Sequence, residues 1–437
     1  MLFTNIAVLD EDFNLHKRQW VGTKNGRIEY LSAQPLTTEQ AAPYGDKYEG
    51  AGKLLIPGFY NAHSHAPMTL LRGYAESLPL HTWLTDRVFP FEAHITAEDA
   101  YWATTLAIAE MVRFGTVSFS DMYYHTRDCA RAVLDAGMKC NICDTLIAPD
   151  NKPYSAYPLA AANREYLEEF HGAGDGRLLV DFNIHAEYTS HPVAVAGLAA
   201  AAKEAGVRIQ LHASETRSEH EECKARHGGA TPVQYFESLG VFEVPVTAAH
   251  CVWIEGEDFN ILANRGATVA CNPASNMKLG SGFAPVPQML DAGINVALGT
   301  DGAASNNSLN IMRDMALMAL VYKGAQQDPA VITPHQALYA ATRAGARSQG
   351  RADCGVVRLG AKADLCVLDT SGPNWFPATD PLANLVFAGQ GSEVCLTMVD
   401  GQVLYHEGLW PTLDIDTART KVALATKRII AEVSRQA

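Results

Sequence analysis

Pro57-Gly58-Phe59-Tyr60-Asn61-Ala62-His63-Ser64-His65 is the stretch on which the reading of this chain turns. The apolar run Leu54-Leu55-Ile56 leads into it, and its two histidines are separated by one residue. In an extended strand alternate side chains share a face, so both imidazoles can reach one ion. The same pair also suits two core histidines satisfied by hydrogen bonds, and partners elsewhere in the chain must decide.

Downstream, apolar strand-like runs alternate with longer helical stretches, which implies βαβ units and a parallel sheet. The strand candidates are Leu55 to His65, Thr116 to Met122, Lys139 to Leu146, Leu178 to His185, Arg208 to His212, Val246 to His250, Thr268 to Cys271 and Asn295 to Asp301. Between them lie helical runs such as Ala97 to Phe114 and Val193 to Ala205, with apolar residues at three- and four-residue steps. Eight such units in about 300 residues suit a (β/α)8 TIM-like barrel. Upstream, Phe3 to Val8, Arg18 to Gly22 and Gly26 to Leu31 read as short alternating strands. That style returns past Gly355, in Ala363 to Asp369 and the hairpin-like Met398 to Leu404. The expected fold class is therefore α/β, with the barrel over residues 57–354 and a small β-sandwich domain formed by both chain termini, residues 1–56 and 355–437. A final helix, Thr417 to Arg435, is expected to carry Val422, Ala423, Ala425 and Ile429 on one face.

Composition narrows the function. The chain has 437 residues, ample for one large barrel and a smaller domain. With 34 Lys and Arg against 48 Asp and Glu its net charge is −14, and its basic residues are scattered, so no nucleic-acid partner is expected. No apolar run reaches the length of a membrane span, and the start soon meets Asp10, Glu11 and Asp12, which points to a cytoplasmic protein without a membrane partner. Nine cysteines, mostly within apolar strand-like runs, fit reduced buried thiols. Cys140 and Cys143 lack a second pair at zinc-finger spacing and read as packing residues.

Polar residues with useful chemistry fall at the C-terminal ends of the strand runs, which a barrel gathers around one mouth: His63, His65, Asp121, Asp144, His185, His212 with Glu215, His250 and Asp301. Three imidazoles and a carboxylate, from His63, His65, His212 and Asp301, could hold Zn²⁺ with one position open to water; Fe²⁺ is the alternative. Such an ion would lower the pKa of its water to near 7. His250 is placed to orient that water or stabilise developing charge, or is a fourth ligand or core histidine. Glu215 could donate a proton to a substrate, or is a solvated loop acid.

Taken together, His63-Ser64-His65, His212-Ala213-Ser214-Glu215, Ala249-His250-Cys251 and Gly299-Thr300-Asp301-Gly302 resemble the metal and catalytic motifs of the amidohydrolase superfamily. More narrowly, Pro57-Gly58-Phe59, Met68 to Ala75, Asn272 to Leu279 and Thr300 to Asn307 are similar to stretches of its S-adenosylhomocysteine and 5'-methylthioadenosine deaminases. The resemblance runs over nearly the whole chain. It implies a zinc-dependent aminohydrolase with one metal per subunit, a small-molecule substrate, and a barrel of a kind that is often a homo-oligomer. It assigns His63, His65, His212 and Asp301 to the metal, with Asp301 also moving the proton of the water, Glu215 protonating a ring nitrogen and His250 polarising the water.

The resemblance further implies substrate contacts from Glu92 and His185, with Trp83 lining the pocket. On the residues alone these could be a solvated acid, a hydrogen-bonded strand end and an exposed helix residue. Where the branch carries an arginine at the end of the third strand, this chain has Asp144, which facing the substrate would repel the carboxylate of S-adenosylhomocysteine. The expected reaction is hydrolytic deamination of an adenosine-type nucleoside (5'-methylthioadenosine, 5'-deoxyadenosine, adenosine or S-adenosylhomocysteine) to the inosine analogue and ammonia. The rivals are an amidohydrolase acting on a guanine- or pterin-like ring or a chlorotriazine, and a non-catalytic scaffold on the same barrel.

Overall fold

The computed structural model describes residues 1–436. The quoted stretch proves to be the joint between two sheets. β1 (Leu2–Leu9), β2 (Leu15–Lys24) and β3 (Arg27–Ser32) form an antiparallel ladder, and β4 (Lys47–Glu49) and β5 (Lys53–Pro57) add to β1 in parallel. The chain then leaves this sheet and enters the barrel as β6 (Phe59–Ser64). Leu55 to His65 is thus two strands: Pro57 pairs with Leu365 in one sheet while Phe59 pairs with Thr116 in the other. Gly58 sits at the change of sheet, where an added Cβ would lie 2.2 Å from Val117 Cγ1. No side chain fits there.

The barrel continues through β7 (Thr116–Tyr123), β8 (Lys139–Asp144), β9 (Leu178–Val180), β10 (Phe182–Ile184), β11 (Ile209–Ala213), β12 (Val246–His250), β13 (Thr268–Cys271) and β14 (Asn295–Leu298), all paired in parallel. Asp181 separates β9 from β10, which together make one barrel position, so the strand positions number eight. Its N–H bonds the Ile142 carbonyl at 2.9 Å, and its carboxylate accepts from Asn141 and Gln210. The last strand meets the first through Asn61, whose Oδ1 accepts the Thr300 N–H at 3.0 Å and whose Nδ2 donates to Thr300 Oγ1 at 2.7 Å. The helix Arg343–Ser348 packs against the opposite end of the barrel, where Gly345 allows a close approach to Tyr60.

After the barrel, β15 (Leu365–Asp369), β16 (Val394–Val399) and β17 (Gln402–His406) return to the first sheet, β15 lying antiparallel to β5. The terminal strands therefore form one continuous eight-stranded sheet with a core of its own, including Phe3, Ile6, Val21, Leu55, Val367 and Leu396. The final helix spans Ile415–Gln436 and buries Ala418, Val422, Ala425 and Ile429, whereas Ala423 faces solvent. Steps of four, three and four residues follow the helical repeat; Ala423, next to Val422, is turned a full 100° away. All nine cysteines are buried and unpaired, and among the described residues no helix is long and apolar enough to cross a membrane.

The terminal sheet is bound to the barrel by buried charge. Lys139 at the start of β8 donates to Asp364 at 2.5 Å and to Asp400 at 2.8 Å, with side-chain exposures of 2, 1 and 8 %. Tyr60 also donates to Asp364, at 2.5 Å. Burial pushes the Asp364 carboxyl up, but Lys139 outweighs it and holds the group below its ordinary value. Removing one partner of such a group strands the other charge, which costs about 3–5 kcal/mol. Asp364→Ala leaves Lys139 with Asp400 alone and is expected to lower the unfolding free energy from denaturant titration by up to about that much, whereas Lys203→Ala, which breaks an exposed pair with Glu243, leaves it unchanged.

Candidate active site

The C-terminal ends of the barrel strands open onto a concave cavity walled by Met68, Leu80, Trp83, Val88 and Phe89, with His65, His212, His250 and Asp301 at its floor. Ring nitrogens of His63, His65 and His212 lie within 4.8 Å of one another, and His63, His250 and Asp301 form a second such group. Asp301 Oδ1 stands 3.4 Å from His63 Nε2 and 3.1 Å from His65 Nε2.

The far side of each group is tied down. His65 Nδ1–H donates to the Met122 carbonyl at 2.5 Å and His212 Nδ1–H to the His185 carbonyl at 2.7 Å, which turns both Nε2 atoms towards the centre. Asp301 Oδ2 accepts from Ser275 at 2.6 Å and Ser305 at 2.7 Å. Burial drives the His63 imidazole down to about 4 and His212 well below the usual histidine range, so both are neutral donors. Burial also pulls on His65, but Asp301 outweighs it and leaves its pKa at about 9. His63 Nε2 is buried without a hydrogen-bond partner. A divalent cation fits this set: the neutral imidazoles of His63 and His212 converge with the Asp301 carboxylate and with His65, whose proton a cation would displace, and the outer atoms of His65, His212 and Asp301 are held by the hydrogen bonds that commonly orient metal ligands.

Two acid-base groups flank the cluster. His250 Nδ1 bonds Asn276 Oδ1 at 2.8 Å, leaving Nε2 facing Glu215 Oε2 at 3.8 Å. Burial raises the Glu215 carboxyl, favouring the protonated form that can donate. Its loop is held by Glu219, whose carboxylate accepts the N–H of Ser214 at 3.0 Å and of Glu215 at 2.7 Å.

Glu92, His185 and Trp83 all line the cavity. Burial brings the Glu92 carboxyl up to about 7 and the His185 imidazole down to about 4, and His185 Nδ1 has no partner. Trp83 is buried, its indole N–H bonded to the Ala75 carbonyl at 3.1 Å. Asp144 corrects the expectation drawn from sequence. Its side chain does not line the cavity: Oδ1 accepts the Thr145 N–H at 2.8 Å and Oδ2 accepts from Tyr166 at 3.4 Å. Thr145, one residue on, faces the cavity in its place. Asp144 is thus set one residue back from the cavity wall.

Sequence reasoning assigned no role to Ser275, Asn276, Ser305 or Glu219. The first three lie inside Asn272 to Leu279 and Thr300 to Asn307, the motifs that carried the resemblance. Glu219 is signalled by the capping box Thr216-x-x-Glu219 at the start of the helix Arg217–Arg226.

The sequence profile of the amidohydrolase family matches residues 54–404. The chain is 41% identical over 411 residues, 94% of each protein, to a 5-methylthioadenosine/S-adenosylhomocysteine deaminase of Moorella thermoacetica. Among solved structures it resembles a zinc-bound adenosine deaminase from Xanthomonas campestris, with TM-score 0.89, 28% identity and 98% of each chain covered. A zinc complex of atrazine chlorohydrolase from Arthrobacter aurescens superposes with the same TM-score at 20% identity, over 97% of this chain and 99% of that one; at that identity the likeness speaks to the fold alone. With its barrel, its converging histidines and these relatives, the chain belongs to the amidohydrolase family.

Proposed function

We propose that this protein is a zinc-dependent deaminase of adenosine-type nucleosides, producing the inosine analogue and ammonia. The observation that carries the reading is the convergence of His63, His65, His212 and Asp301 beside a buried Glu215 and His250 at the floor of one cavity. The identity of 41% to a protein named for this reaction supports it, as does the zinc in the Xanthomonas structure. On this reading residues 57–354 carry the chemistry, while 1–56 and 355–437 form the supporting β domain.

His63, His65, His212 and Asp301 would hold a divalent ion, whose chemistry, when bound, would be to make water acidic enough to act as the nucleophile at neutral pH. Asp301 accepts the proton that the water gives up. Glu215 protonates the ring nitrogen next to the amine-bearing carbon, so the electron pair displaced by attack has a neutral destination. His250, whose Nδ1–H is given to Asn276 Oδ1, accepts the O–H of the attacking water at Nε2 and fixes its direction. As the tetrahedral centre collapses, Asp301 returns its proton to the amine, the C–N bond breaks and ammonia leaves, while the proton remaining on the added oxygen passes to the Glu215 carboxylate, giving the neutral keto product and restoring the acid. Glu92 accepts from the ribose hydroxyls, and His185 Nδ1, buried and unpartnered, is free to bond the substrate.

The lining also bears on the 5' group. Met68, Leu80, Trp83, Leu84, Val88 and Phe89 give the cavity an apolar wall, and none of its lining residues is a lysine or arginine. An anionic tail finds no counter-charge there, so neutral 5'-substituted adenosines are the preferred substrates.

Purified protein is expected to contain one zinc per subunit by elemental analysis, and His212→Ala to lose it. Glu215→Gln should retain the metal yet lower kcat by about 10²–10⁴-fold. In an ammonia-release assay, kcat/KM for 5'-methylthioadenosine should exceed that for S-adenosylhomocysteine. Absence of ammonia from every 6-aminopurine nucleoside would overturn the reading.

A further inference from the structure

At the end of the barrel opposite the catalytic mouth, a second cavity opens between the start of β11 and the helix Arg343–Ser348. It has a volume of about 450 Å³, and four of its lining residues are arginines: Arg208, Arg343, Arg347 and Arg351. No aspartate or glutamate lines it, in a chain whose acids outnumber its Lys and Arg by 48 to 34. Elsewhere cations find partners, as Arg27 does with Asp353, Arg226 with Glu187 and Arg428 with Glu432. None of these four makes an ion pair among the described residues.

The four differ in how free they are. Arg351 is buried and spends its terminal nitrogens on the carbonyls of Cys140, Gly176 and Arg177, so it contributes charge more than open donors. Arg208 is largely buried yet bonds no protein acceptor, and burial presses its guanidinium below its ordinary pKa. The acid acting on it is Asp181, which is occupied by Asn141 at 3.1 Å and Gln210 at 3.0 Å. Gly350, at φ +73°, makes room for Arg208: a Cβ there would lie 2.8 Å from Arg208 Nε. Arg343 and Arg347 are one helical turn apart, exposed and free.

Arg208, largely buried with neither an ion pair nor an acceptor, carries a desolvation cost that an anion would relieve, and Arg343 and Arg347 add free donors on the same wall. Guanidinium forks match phosphate oxygens two at a time, and several converging forks call for more negative charge than one carboxylate carries. We propose that this cavity is a binding site for a phosphate-bearing polyanion, a di- or polyphosphate free or as the tail of a larger metabolite, held chiefly by Arg208, Arg343 and Arg347. It lies away from the metal cluster and does not depend on which ring the catalytic site deaminates.

The test uses inorganic pyrophosphate with the full-length, metal-loaded protein. Calorimetric titration should show saturable binding, and thermal unfolding should move to higher temperature as pyrophosphate is added. Arg343→Ala/Arg347→Ala, at two exposed positions, should fold, keep its turnover measured without the anion, and bind at least about tenfold more weakly. Arg18→Ala, an exposed arginine in β2, should bind as the parent does. A titration with ATP reports whether the phosphates alone suffice: affinity equal to that of pyrophosphate supports recognition of the phosphates, as does tighter binding lost in the double variant. The proposal is overturned if the parent shows no saturable binding of either compound up to millimolar concentration. It is equally overturned if the double variant binds as tightly as the parent.

Discussion

The barrel closes where the Asp301 N–H meets the His63 carbonyl at 3.0 Å, and much of the molecule depends on that one backbone bond. It joins the last strand position to the first, and it presents the Asp301 carboxylate to the imidazoles of His63 and His65. Closure and site assembly are therefore one event. A barrel whose ends failed to meet would lose an edge pairing and would also leave three buried histidine rings without their carboxylate. The Asn61 bonds to Thr300 lie beside this seam and reinforce it.

Several groups at the mouth are held in backbone conformations that side chains resist. Ser214, His250 and Asp301 have φ of +50°, +71° and +61°. Such residues cost of order 1–3 kcal/mol each and persist only where their surroundings over-determine them. The surroundings are visible: Glu219 receives the N–H groups on either side of the Ser214–Glu215 peptide, Asn276 holds His250, and two serines hold Asp301. At His250 and Asp301 the sharp turn takes the chain out of a strand while the side chain still lines the cavity. That allows strands only four or five residues long to deliver groups to a common centre.

Legibility from sequence followed the range of the physical signal. His63 and His65 were readable because the two-residue repeat of a strand is local, and the alternation of strand and helix runs is likewise local, so the eight strand positions emerged with small errors at their ends. The break at Gly58 was not readable: the apolar run continues across it from Leu54 to Tyr60, and only the partners of Pro57 and Phe59 reveal two sheets. Glu92, more than a hundred residues from His212, came from the resemblance, since no periodicity links a short helix to a strand end. Asp144 was misread by one position. It is the last residue of β8, where the alternation of faces ends, so the residue facing the cavity is decided by the turn after it and by Tyr166 on a later helix.

That one-residue difference changes the electrostatic argument about the substrate. An acid facing the cavity would select against anions by repulsion, a strong effect at short range. With Asp144 turned to Tyr166 and Thr145 in its place, selection rests instead on a missing counter-charge: a carboxylate entering an apolar wall must shed water and gains no partner. The two mechanisms favour the same substrates by different amounts, since absence of attraction is the weaker discriminator and leaves an anionic nucleoside as a slow substrate rather than an excluded one. The opposite end of the barrel inverts the arrangement, with unpaired guanidinium groups and no acid on the cavity wall. The same eight strands thus separate two chemical environments: a cavity over the metal ligands with an apolar wall and no lysine or arginine, and a cationic one at the far end.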